Sequence, residues 1–182
     1  SGRPLNPKTM IEKSVALTRE AYMPIVNLNN GKNRHSINGR LMAFKKDLAK
    51  KIEIPPATIG NDVYCYFACL SNGYEYNRVG SAIVYYKAPK TISEQIRQNL
   101  RFLAVSDRMS DYFPKALTDK ENYFPKKILL FSMLKQLIRH PILGTFIFAV
   151  NSYSRFLVLK GGSVDLTSQW HISKTSKEAL IK

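Results

Sequence analysis

Asp62 stands in the stretch Thr58-Ile59-Gly60-Asn61-Asp62-Val63-Tyr64, at the start of a helix that Gly60-Asn61 announces. A carboxylate in the first turn of a helix is stabilised by unpaired backbone amides and by the helix dipole. Held there, it is a candidate for catalysis. Asn61 and Asp62 also favour helix starts whatever their chemistry, so position alone assigns no role. A second group follows in Ile96-Arg97-Gln98-Asn99-Leu100-Arg101-Phe102. Gln98, Arg101 and Phe102 recur at i, i+3 and i+4, which is one helical face. Their types suit a sugar and a pyrophosphate: the guanidinium pairs with phosphate oxygens, the ring covers a pyranose, and the amide fixes a hydroxyl. Ordinary amphipathic helices carry the same three residue types without any ligand.

Metal and thiol chemistry have little to work with. Cys65 and Cys69 lie four apart in an apolar run with no accompanying His-rich or Cys-rich set. They read as small buried hydrophobes in a reducing compartment, neither a zinc site nor a disulfide framework. The aspartates, at 47, 62, 107, 111, 119 and 165, form no Asp-x-Asp pair, and no glycine-rich phosphate loop occurs.

The elements that must position these residues follow from periodicity and punctuation. Ile11, Val15, Leu17, Ala21 and Tyr22 predict a helix ending before Pro24, and 27–33 reads as loop. Residues 37–44 (INGRLMAF) read as strand or strand-like, and 45–52 as a short basic helix closed by Pro55-Pro56. Val63, Tyr66, Phe67 and Leu70 fall at i, i+3, i+4 and i+7, with Gly73 where a left-handed cap belongs. Residues 74–86 read as strand-rich, with Ala82 to Tyr86 one buried strand. Thr91 and Glu94 form a capping-box pair that predicts a helix over 92–108.

Beyond Pro114 the character changes. Residues 126–160 are rich in Ile, Leu, Phe and Val but are interrupted by Lys135, Arg139, His140 and Pro141, which predicts two amphipathic or interfacial helices divided at Pro141. No uninterrupted apolar run reaches the ~20 residues that span a bilayer. Residues 126–182 hold nine Lys and Arg against two acidic residues, a net of +7, which suits an anionic membrane face. A core helix pair with a basic exposed side is the alternative. The whole chain has 182 residues, 45% hydrophobic and 23% charged, which excludes a disordered tail or a coiled coil. Its 28 Lys and Arg against 13 Asp and Glu favour a polyanionic partner: nucleic acid, acidic lipid or a phosphate-bearing substrate.

Taken in order, three segments resemble the family-2 inverting glycosyltransferases. Residues 37–46 are similar to the family's small-residue turn, apolar strand and basic pair. Gly60-Asn61-Asp62, the apolar helix and Asn72-Gly73-Tyr74 resemble its acidic-pair segment. Ala82 to Thr91 followed by Gln98 to Phe102 resembles the strand, proline turn and QxxRW helix of processive polysaccharide synthases. Asn61 replaces the pair's usual first acidic residue, and Phe102 the usual tryptophan. Trp170 with Ser173 to Lys177 resembles the tail of some members.

The resemblance implies an α/β fold, part of a GT-A (Rossmann-like) glycosyltransferase domain over 1–124, followed by a basic helical region over 125–182 that is interfacial or membrane-associated. It implies Asp62 as the catalytic base, with Gln98, Arg101, Phe102, Asn61 and Gly39 at the acceptor and diphosphate. The complete enzyme would use a nucleotide-sugar, a glycan or lipid-linked acceptor, and Mg2+ or Mn2+. With no Asp-x-Asp in this chain, donor and metal sites are expected from a second chain or a longer product, and the chain alone is expected to be inactive. The expected location is the cytoplasmic face of the membrane, or the cytoplasm. The competing expectation is a basic, non-enzymatic module for nucleic acid or acidic membrane, although no nucleic-acid motif is visible.

Overall fold

The computed structural model describes residues 2–160 apart from Ala57, without the side chains of Ala104, Ser106 and Asp107. The expectations for Trp170 and Ser173 to Lys177 lie outside the described residues.

Seven α-helices dominate the described residues. α1 (Met10–Val26) begins at a reciprocal cap: Thr9 Oγ1 accepts the Glu12 N–H at 3.2 Å, and Glu12 Oε2 accepts the Thr9 N–H at 2.8 Å. The helix runs through Pro24 instead of stopping before it. Only Ile25 and Val26 follow the proline, so the lost backbone bond falls in the last turn, and Ile25 is fully buried there. A short α2 (Lys46–Ala49) leads to α3 (Asn61–Ser71), which starts from Gly60 in the left-handed region. α3 stops as the sequence predicts: Gly73, with φ +74°, donates to Leu70 O and Tyr74 N–H to Cys69 O, both at 3.0 Å. α4 (Ile92–Arg108) starts where Thr91 Oγ1 accepts the Glu94 N–H at 3.3 Å. α5 (Lys115–Asn122), α6 (Lys126–Arg139) and α7 (Pro141–Leu159) complete the set, with Pro141 in the first position of α7, where its missing N–H costs nothing.

The α/β, Rossmann-like GT-A expectation is overturned. The described residues are 63% helix and 4% strand, and their only sheet is a two-stranded parallel one. In it β1 (Gly2–Pro4) pairs with β2 (Val84–Tyr86), Gly2 opposite Val84 and Pro4 opposite Tyr86. The expected strand over 37–44 is absent because Asn38 closes a polar turn. Its Oδ1 accepts the Arg40 N–H at 3.2 Å, and its carbonyl accepts the Leu41 N–H at 3.3 Å. These local bonds occupy groups a strand ladder would need. Of the strand-rich stretch 74–86, only Val84–Tyr86 finds a partner.

The core that holds α3 against α4 is aromatic. Ile59, Tyr66, Phe67, Val105 and Met109 are buried together, with Phe113 and Leu117 against them. Phe67 stacks on Phe113 at 5.5 Å between centroids, and Tyr66 meets Phe67 edge-on at 5.5 Å. Tyr66 Oη donates to Glu121 Oε2, tying α3 to α5. Burial, the bond to Glu121 and its negative charge together raise the Tyr66 phenol far above its ordinary value. Cys65 and Cys69 are buried free thiols, and burial raises both, with the Asp62 charge adding to the rise at Cys65. Elsewhere α6 and α7 pack on α1 and on each other, and α7 also packs on α4.

Candidate functional site

Asp62 is half-buried in the first turn of α3, where its Oδ1 accepts the Val63 N–H at 3.0 Å. Its other oxygen is set against Gly39. A β-carbon built on Gly39 would lie 2.8 Å from Asp62 Oδ2 and 3.0 Å from Asp62 Cγ, so only glycine allows this approach. Two residues singled out separately in the sequence, 23 positions apart, therefore touch. No ion pair neutralises Asp62 among the described residues.

The turn that carries Gly39 is held from the other side by the sheet. A β-carbon on Gly2 in β1 would lie 2.8 Å from Asn38 Nδ2 and 3.3 Å from the Tyr86 ring. Arg40 lays its guanidinium over Tyr86 of β2, with Cζ 3.8 Å from the ring centroid, a cation–π contact. Burial raises the Tyr86 phenol, while the charges of Arg40 and Arg19 oppose the rise. The small sheet thus serves as a clamp for the 38–40 turn. Arg40 and Tyr86 are site residues that sequence reasoning missed. The signal available was the sequence Asn38-Gly39-Arg40, an Asx-type turn followed by a cation.

α4 reaches the same place through Gly60. Gly60 has φ +81°, and a β-carbon there would lie 2.7 Å from Val105 Cγ1. Gln98, Arg101 and Val105 fall at i, i+3 and i+7, so the first two share the α4 face whose Val105 seats Gly60, two residues before Asp62. Gln98 and Arg101 are half-buried, whereas Phe102 is 63% exposed and Asn61 is exposed. The structure therefore brings Gly39 against Asp62, places Gln98 and Arg101 on the α4 face that carries Val105, and leaves the Phe102 ring open to solvent.

What this arrangement can do is limited by charge and shape. One carboxylate at a helix N-terminus, with Gly39 against it and the Arg40 guanidinium stacked on Tyr86, can bind a polar group. Among the described residues no three His, Cys, Asp or Glu side chains come together to hold a metal ion. A cleft of about 600 Å³ lies between α1 and α6 and one of about 180 Å³ between α1, α6 and α7, and none of the predicted site residues lines either. No protein-family model, curated protein or solved structure matches the chain.

Proposed function

We propose that the chain provides the acceptor side of an inverting sugar transfer, with Asp62 as general base. Asp62 Oδ2 takes the proton of an acceptor hydroxyl, and the freed oxygen attacks the anomeric carbon of a nucleotide-sugar. The bond from that carbon to the diphosphate breaks, inverting the configuration in one displacement. Gln98, Arg101 and Phe102 line the approach of a glycan or lipid-linked acceptor and the leaving diphosphate, and Arg40 adds a cation to that surface. The nucleotide-binding and Mg2+- or Mn2+-binding groups come from outside the described residues. Holding the acceptor hydroxyl against Oδ2 supplies much of the rate.

The observation that carries this reading is the contact of Gly39 with Asp62. A carboxylate that matters only as a helix start has no need of a glycine against it. The test is Asp62→Asn in the longest product that transfers sugar, followed by radiolabelled transfer and by acceptor binding. Transfer is expected to fall by about 100-fold or more while acceptor binding stays unchanged. Full activity in Asp62→Asn would sink the assignment. Binding of the chain to DNA or RNA that falls steeply with salt would favour the basic-module reading instead.

A further inference from the structure

α6 buries only Leu129 and Ser132 and leaves most of its apolar residues outside. Its buried side carries Leu129 and Ser132, with Gln136 beside them, and Gln136 Oε1 is buried with no hydrogen-bond partner among the described residues. Its opposite side presents Leu130, Phe131, Leu134 and Ile138 to the outside, with Phe131 74% and Ile138 81% exposed. Their i, i+1, i+4, i+8 spacing is one continuous stripe. α7 buries Ile147, Val150 and Ser154 on its inner side. Ser154 is 1% exposed and joins a buried chain of amides: Gln95 Nε2 donates to Asn99 Oδ1, and Asn99 Nδ2 to Asn151 Oδ1, both at 2.8 Å. Outside, Ile142, Phe148, Phe156 and Leu159 stand exposed. α7 is long and apolar enough to cross a bilayer, yet only 17% of its apolar window is buried, so it is no core helix.

Half of the exposed large apolar side chains of the described residues fall within 126–160. A water-facing surface seldom gathers such a patch, whereas helices that lie on lipid present apolar side chains outward. The charge of the segment selects the lipid: 126–160 holds six Lys and Arg and no acidic residue. We infer that the outer face of the α6–α7 pair docks in the plane of an anionic bilayer surface. The apolar stripe sits among the upper acyl chains, and Lys127, Arg139 and Lys160 reach acidic headgroups. α6, at 14 residues, is about 21 Å long, short of the ~30 Å hydrocarbon core. The inner side of α7 packs on α1 and α4, which expose Lys13 and Arg97 to water. Lipid therefore meets one side only, and the pair lies flat.

This inference does not depend on sugar transfer and is tested without it. The full chain is floated with vesicles of phosphatidylcholine alone, or with 30% phosphatidylglycerol added. Phe131→Glu/Ile138→Glu leaves the buried side intact and is expected to lower the fraction bound to anionic vesicles by about tenfold. Lys127→Ser/Arg139→Ser is expected to weaken binding to the anionic vesicles and leave the neutral ones unchanged. A wild-type chain that floats with neither vesicle overturns the proposal. So does a soluble dimer that dissociates in Phe131→Glu/Ile138→Glu, which would make the face a contact between two copies. With Arg139→Cys and Lys160→Cys made singly, an impermeant maleimide outside the vesicles should label both. Protection of one would mean that α7 crosses the bilayer, and would overturn the in-plane placement.

Discussion

α3 and α6 are both short helices with apolar stripes, and they use those stripes in opposite ways. α3 turns Tyr66 and Phe67 inward and leaves Asn61 and Ser71 in water. α6 turns Ser132 inward and leaves Phe131 and Ile138 outside. The difference shows that amphipathicity has a strength and a direction, and only packing reveals the direction. Around α3 the chain folds as it would in water, and a carboxylate can be fixed at the helix start. Along α6 and α7 the same kinds of residue leave an outer surface that water does not favour.

The largest effect that separates the two regions is on stability. Phe67→Ala empties the centre of the aromatic cluster and should cost about 3–5 kcal/mol in urea unfolding. Phe131→Ala should shift the midpoint by no more than about 0.5 kcal/mol, because its ring is 74% exposed. Equal losses in the two variants would mean that the outer face of α6 is part of the core, and the contrast would fail.

Most of the helical framework was legible in the sequence where local chemistry decides it. The Thr91 cap placed α4 over 92–108, Gly73 ended α3, and Pro141 separated α6 from α7. The sheet was misread because strand formation depends on a partner, and a run such as Ala82 to Tyr86 does not say whether one is available. Gly2–Pro4, a proline-bearing start that reads as loop, turned out to be that partner. At the candidate site, Asp62 and Gly39 were each visible as residue types, but their contact joins segments distant in sequence. Arg40 has no role that the sequence alone could assign, since its stacking on Tyr86 depends on the same strand pairing.

A middle-sized effect tests how firmly α3 and α4 are tied at the site, with the two left-handed glycines of α3 as a pair. At Gly73 nothing lies within 4 Å of an added β-carbon, so Gly73→Ala should cost only the backbone penalty, about 1 kcal/mol. At Gly60 the same penalty is joined by a clash with Val105, so Gly60→Ala should cost about 2–4 kcal/mol. Val105→Ala in the Gly60→Ala background should recover the steric part and leave the backbone part. A double-mutant cycle reads that coupling directly. No coupling would separate α4, and with it Gln98 and Arg101, from Asp62.

The smallest effect concerns the seam where α1 and the start of α6 meet the loop before the sheet. His35 places Nε2 3.0 Å from Tyr123 O and packs edge-on against Phe124 at 5.1 Å between centroids. Burial lowers its pKa below the ordinary value, although the Tyr123 carbonyl opposes the shift. The unfolded chain therefore binds a proton that the folded one refuses as the pH falls through about 6.5. The contribution of the neutral ring to stability is complete above that pH and is lost as pH falls toward the lowered folded value. Thermal unfolding should show a drop in melting temperature between pH 7 and 5, and His35→Gln, whose amide can still donate to Tyr123 O without titrating, should flatten it. An unchanged slope in that variant would place the pH sensitivity elsewhere.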